Sequence, residues 1–190
     1  MHDRQFDIAL REIETAQRLS PTSPSILANK ALILHHAGSS NEALAILEPL
    51  AASKPMLLSP VSYLATIYLH IGRDGDFVTA YGRAADLTDN AGRGEIAEVA
   101  RQGLARAGRS GMLNAMLGVQ TRLSSQGQER AFKVAITAAY LERTDLALDN
   151  LELAIQRNES DVLGVRLELP HGPLNGSRYA ELVRRVGFST

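Results

Sequence analysis

Apolar residues recur three and four positions apart through most of this chain, with clusters of Gly, Pro and Ser between the runs. That spacing predicts amphipathic helices rather than strands. In residues 25–36 the apolar positions include Leu27, Ala31 and Leu34, and in residues 59–71 they include Val61, Ala65 and Tyr68. The pattern also repeats. A step of 34 residues links Ala9 to Ala43 and Phe77, Ala16 to Leu50 and Ala84, and Pro21 to Pro55. The same step links Ala31 to Ala65, His36 to His70 and Gly38 to Gly72. Each position has a physical reason to recur. Ala31 and Ala65 are small where antiparallel helices must approach, and Gly38 and Gly72 fall just past a helix end, where a left-handed residue avoids a Cβ clash. Ser39 is predicted to cap the next helix with Glu42 as its capping-box partner, and Asp74 to do the same before Phe77. Pro21 and Pro55 end the second helices, since proline cannot continue the hydrogen-bond ladder from within.

In its period, small-residue position, turn glycine, Ala/Leu/Ala second-helix pattern and closing proline, the chain resembles the tetratricopeptide repeat (TPR) family. It departs from the family in lacking Trp at Leu27 and Val61, in placing Phe77 at a small-residue position, and in ending the third unit on Asp89. The resemblance implies an all-α fold: a right-handed α-solenoid of TPR-like antiparallel helix pairs over residues 1–157, followed by a C-terminal capping segment, 158–190. Residues 4–19 match only a second helix, with Ala9, Ala16 and Pro21 in register. The first repeat is therefore expected to be incomplete, and the chain to be a piece of something longer, because an uncapped solenoid end exposes apolar surface.

After Asn90 the register slips. Residues 91–94 read as a connector, and residues 95–107 and 111–124 as a hairpin around Gly108, with Leu113 and Leu117 at second-helix positions. A turn at 124–127 leads to helices over 128–142 and 145–157, where Tyr140, Ala147, Leu151 and Ala154 restore the spacing. Their turn has no glycine, and Thr144 is its predicted N-cap. The tail runs through Leu167-Glu168-Leu169-Pro170 and Gly172-Pro173-Leu174 to a short helix, 177–187. It resembles the closing element of bacterial TPR regions that lie behind winged-helix DNA-binding domains in transcriptional activators, and behind adenylate cyclase catalytic domains. Leu174, Tyr179, Leu182 and Val186 are expected to pack on the last hairpin, with Arg184 and Arg185 facing water.

Composition narrows the function. The 190 residues are 45% hydrophobic and 22% charged, with a formal net charge of −1. That excludes a strongly basic nucleic-acid-binding body and an acidic disordered chain. With no cysteine there is no disulfide scaffold, thiolate metal site or cysteine nucleophile. Aromatic residues make up 5% and Trp is absent, so platforms for stacking bases or sugars are scarce. The longest stretch free of acidic and basic residues, 55–72, carries Pro55, Ser59, Pro60, Ser62, Thr66 and His70. It reads as a buried helix rather than a membrane span. No targeting segment stands at the N-terminus, and a cytoplasmic location is expected.

Candidate chemistry is sparse. His36 and His70 repeat, but no acidic pair completes a ligand set, so they read as polar residues near helix ends rather than a metal site. Gly72-Arg73-Asp74-Gly75-Asp76 lacks the closing Glu of a calcium loop. Gly92-Arg93-Gly94 and Gly108-Arg109-Ser110-Gly111 lack the lysine of a phosphate loop, and all three read as turns. No Ser–His–acid spacing stands out, so no catalytic residue, metal or cofactor is expected. Arg93, Arg101, Arg106 and Arg109, and separately Arg184-Arg185, read as solvated faces, with no nucleic-acid binding.

The remaining feature is shape. Stacked pairs leave a concave wall lined by first helices, and in the family inward-facing first-helix residues read peptides. By position these are Ser25, Asn29, Leu32 and His36, matched by Ser59, Tyr63, Thr66 and His70. The Lys/Arg set with which TPR clamps hold C-terminal carboxylates is absent. The expected function is a non-catalytic module that binds a protein, peptide or small effector, as the C-terminal regulatory part of a bacterial transcriptional regulator. A regulatory extension of an adenylate cyclase and a free-standing TPR adaptor or chaperone for secreted proteins are the alternatives.

Overall fold

The structure, a computed structural model, describes residues 2–170, 174 and 176–188, with side chains from residue 5 onward. All regular structure among them is helical. The chain forms two compact units, Met1–Ala91 and Gly92–Thr190. The boundary falls where the sequence period slips.

The first unit holds α1 (His2–Leu19), α2 (Pro24–His36), α3 (Ser40–Ser53), α4 (Leu58–Ile71) and α5 (Asp74–Thr88). Each packs on the next, and α2 also touches α4 directly. The small repeated residues lie at these crossings: Ala31 and Ala43 are fully buried, and Ala65 nearly so. Leu47, Val61, Ile67 and Phe77 fill the space between, each contributing about 1.5–3 kcal/mol by burial.

The turns behave in part as the sequence predicts. Gly38 and Gly72 take φ of +94° and +78°, the left-handed conformation that closes α2 and α4. At Asp89, where the repeat would have proline, α5 instead ends on a left-handed aspartate, φ +46°. The capping box does not form. Ser39 stands at the N-cap of α3 without a side-chain cap bond. The hydroxyl that finds a partner belongs to its neighbour Ser40, which meets His35. Asp74 is the first residue of α5, and Arg73 holds the N-cap. Pro21 and Pro55 follow helix ends as expected, yet α3 runs through a further proline, Pro49, on its exposed side.

The second unit opens with α6 (Ala91–Ser125), broken at Ala107 and Gly108. Gly108 has φ +61° and ψ −153°, a region open essentially to glycine alone. Residues 91–106 and 109–125 are thus the two arms of the predicted hairpin, and Arg122 of one arm pairs with Glu95 of the other at 2.5 Å. A Cβ placed on Gly103 would lie 2.4 Å from the Gly111 carbonyl oxygen, so two glycines set how closely the arms cross. The connector expected at 91–94 is instead the first turn of α6: helical backbone begins directly after Asn90 despite two glycines.

Helices α7 (Ala131–Tyr140) and α8 (Thr144–Gln156) pair tightly. The sequence pattern started α7 at Gln128. It starts at Ala131 because Glu159 supplies the cap from elsewhere in the chain: its carboxylate accepts from the Ala131 and Phe132 amides at 2.9 and 3.0 Å. Thr144 is the first residue of α8, and Arg143 holds its N-cap. With no glycine in the turn, Glu142 takes the left-handed conformation, φ +57°. A 3₁₀ turn (Ser160–Gly164), α9 (Val165–Glu168) and α10 (Ser177–Arg185) close the unit.

Leu174, Leu182 and Val183 are buried in the core built by α7 and α8, with Tyr179 and Val186 packed against it. Arg184 and Arg185 are both exposed, as expected; Arg185 also donates to Glu152 at 3.1 Å, and Arg178 bridges Asp149 and Glu152. The Gly172-Pro173 step lies outside the described residues.

Candidate functional site

The eight positions singled out on the first helices all lie in the first unit, on α2 and α4. Ser25 and Ser59 are exposed in the opening turns of their helices. One helical turn on, the Tyr63 hydroxyl donates to Asn29 Oδ1 at 3.0 Å. These two residues are one period apart, so this bond joins equivalent positions of neighbouring units. Leu32 and Thr66 are half-buried. At the far end His36 and His70 come together with ring centroids 6.2 Å apart.

The residue that organises that end is His35, which sequence reasoning passed over. Its ring stacks on His70 with centroids 5.0 Å apart, and its Nε2 lies 2.7 Å from His70 Nδ1. Its Nδ1 lies 2.9 Å from Ser40 Oγ. A signal was present: Ala28, Ala31 and His35 are the three buried residues of α2, at the three- and four-residue spacing of one helix face. His35 therefore points at α3 and α4, while His36 is only half-buried. Burial, and secondarily the His36 ring, pushes His35 down to about 4, so it is neutral at physiological pH.

Ser40–His35–His70 has the connectivity of a serine nucleophile, its base and an orienting group. It lacks the energetics. A base held near 4 is a poor acceptor for the serine proton at neutral pH, and an imidazole stands where such a triad has a carboxylate. Nor are any three His, Cys, Asp or Glu side chains disposed to hold a metal ion among the described residues. The 2.7 Å approach of two ring nitrogens is that of a hydrogen bond.

A second polar cluster ties α3, α4 and α5. The Tyr68 hydroxyl donates to Glu48 at 2.8 Å, and the Arg73 guanidinium lies over the Tyr68 ring at 4.6 Å. Arg73 also bonds Asp76 at 2.7 Å and Glu48 at 3.3 Å. Burial, and next the bond to Glu48, pushes the Tyr68 phenol up to about 12. In the Gly72–Asp76 stretch, then, Asp76 is engaged by an arginine, as suits a helix-start turn.

The other candidates fall in the second unit. Gly92-Arg93-Gly94 lies in the first turn of α6, and Gly108 is the break in that helix. Arg101 pairs with Glu98 at 2.7 Å, Arg106 is exposed, and Arg109 sits over the Tyr140 ring at 5.2 Å. Arg109 is thus packed rather than simply solvated.

No family model and no curated protein matches the chain. The face on α2 and α4 has to be read from its own chemistry. None of its eight residues carries a full charge except where a histidine is protonated. Serine, asparagine, tyrosine and threonine present donors and acceptors beside one aliphatic side chain, which suits the backbone amides and small apolar groups of an extended segment better than a charged ligand.

Proposed function

We propose that the chain is a non-catalytic interaction module built from TPR-like pairs stacked as an α-solenoid, and that it receives an extended peptide segment along α2 and α4. The observation that carries this reading is the Tyr63–Asn29 hydrogen bond, which joins equivalent residues of adjacent first helices into one polar row. Consecutive packing of α1 to α5 and the direct contact of α2 with α4 support it further. The buried attachment of the tail, with its Arg-Tyr-x-x-Leu helix, supports placing the module as the C-terminal regulatory part of a bacterial transcriptional regulator.

The binding part is tested with a library of uncharged, extended peptides and calorimetry of the selected binders. Asn29→Ala and Tyr63→Ala should each weaken binding about tenfold, as loss of one or two hydrogen bonds implies, with melting temperature nearly unchanged. Unaltered affinity in both variants overturns the assigned face. The regulatory part is tested by reading the complete gene: a reading frame without a DNA-binding region defeats it.

A further inference from the structure

We propose that His35, His36 and His70 form a proton-operated latch on the seam of α2, α3 and α4, holding the two first helices together while neutral and releasing them in acid. The latch stands on the hydrogen-bond chain and does not require that the face take a peptide.

Proton counting along the chain Ser40–His35–His70 shows why. At 2.7 Å, one of His35 Nε2 and His70 Nδ1 must carry a hydrogen and the other a lone pair. Two neutral rings meet this in either direction. Ser40 donates to His35 and His35 to His70, or His70 donates to His35 and His35 to Ser40. One added proton, on either ring, leaves every bond intact. A second, on the other ring, sets N–H against N–H and breaks the link. Charge on His36 opposes both, because its ring lies 5.1 Å from that of His35 and 6.2 Å from that of His70.

Charged groups on the packed elements have partners of their own. On the elements packed against α2 and α4, Glu14 and Gln17 of α1 engage Lys30 of α2. Glu48 of α3 engages Tyr68 and Arg73, and Asp76 of α5 engages Arg73. Glu42, in the first turn of α3, is exposed, and Asp74 opens α5. The causes that depress His35 are its burial and then His36. Its folded value of about 4 lies below the ordinary 6.5. The stabilisation is therefore full above pH 6.5 and drains away as pH falls towards 4.

The test uses the full chain and two readouts: histidine side-chain ¹⁵N NMR, and hydrogen exchange of amides 33–37 and 66–71, both followed from neutral pH to pH 4. His35 should keep a neutral-ring signature well below the pH at which free imidazole titrates. Opening of the seam, corrected for intrinsic exchange, should rise steadily below pH 6.5, reaching roughly 100-fold near pH 4. His70→Gln supplies an amide oxygen that accepts from either protonation state of His35, and His35→Leu removes the titrating ring. His35→Leu should reduce that rise roughly tenfold or more, and His70→Gln, which leaves in place the burial and the His36 ring that depress His35, by a smaller factor. Titration of His35 at the ordinary value overturns the proposal, and that readout needs no variant to fold. So does an equal pH response in the wild type and both variants.

Discussion

Replacing Gly103 by alanine should destabilise the second unit, although alanine is the better helix former. A Cβ at Gly103 would lie 2.4 Å from the Gly111 carbonyl oxygen, 2.8 Å from its carbon and 3.0 Å from Met112 Cα. All three atoms are backbone, so no rotamer change relieves the clash. An ordinary carbon–oxygen contact is about 3.3 Å or more, so the arms of α6 must part by about 1 Å. That loosens Ile96, Ala100, Met112 and Leu113, which are all nearly or fully buried. Overpacking of this kind costs about 1–3 kcal/mol and sometimes more, against roughly 1 kcal/mol gained in helix propensity. With unyielding backbone on the far side the upper end applies, for a net loss of about 2 kcal/mol.

Gly118 is the control within the same helix. A Cβ there meets nothing within 4 Å, so Gly118→Ala should gain about 0.5–1 kcal/mol. Urea denaturation followed by far-ultraviolet circular dichroism reads both, and hydrogen exchange at amides 96–100 and 112–117 localises the loss. A Gly103→Ala chain as stable as the Gly118→Ala chain would refute the close crossing. Gly111→Ala removes the same clearance from the other arm, so the double variant should cost less than the two single losses added.

Two further outcomes follow from the described contacts. Glu159→Ala strips two backbone amides of α7 of their acceptor and should cost about 1–2 kcal/mol, read as a lower urea midpoint; an unchanged midpoint would mean that water caps the helix equally well. Of the five tyrosines, Tyr68 and Tyr140 are both pushed up to about 12, chiefly by burial. Because the folded values lie above the ordinary 10, their contribution is full below pH 10 and lost as pH climbs towards 12. Part of the phenolate absorbance should therefore appear only as pH climbs towards 12, and a rise complete by about pH 10 would refute the burial of both rings.

Much of the helical layout is legible in the sequence because it rests on local physics. A three-to-four-residue apolar spacing, small residues at Ala31 and Ala65, and glycines at 38 and 72 act within a turn or two of chain. They placed α2 to α5 to within a residue or so, and the break at Gly108. Non-local partners decided the rest. Glycines suggested a loop at 91–94, yet that stretch is helical. Glu159 caps α7 from 28 positions away, which no inspection of residues 128–131 could show. The left-handed turn before α8 is carried by Glu142, not by a glycine.

The candidate face divides the same way. Periodicity alone paired Asn29 with Tyr63 and His36 with His70, since equal steps along a regular stack bring equivalent residues side by side. It did not distinguish His35 from His36, because adjacent residues on a helix differ by about 100° in direction and only the packing of α3 and α4 determines which ring is buried. Once buried, His35 loses water, its charged form becomes costly, and Ser40 and His70 become its hydrogen-bond partners. Sequence determined where helices run; the enclosure of one imidazole, and the proton chemistry that follows, belong to the tertiary structure.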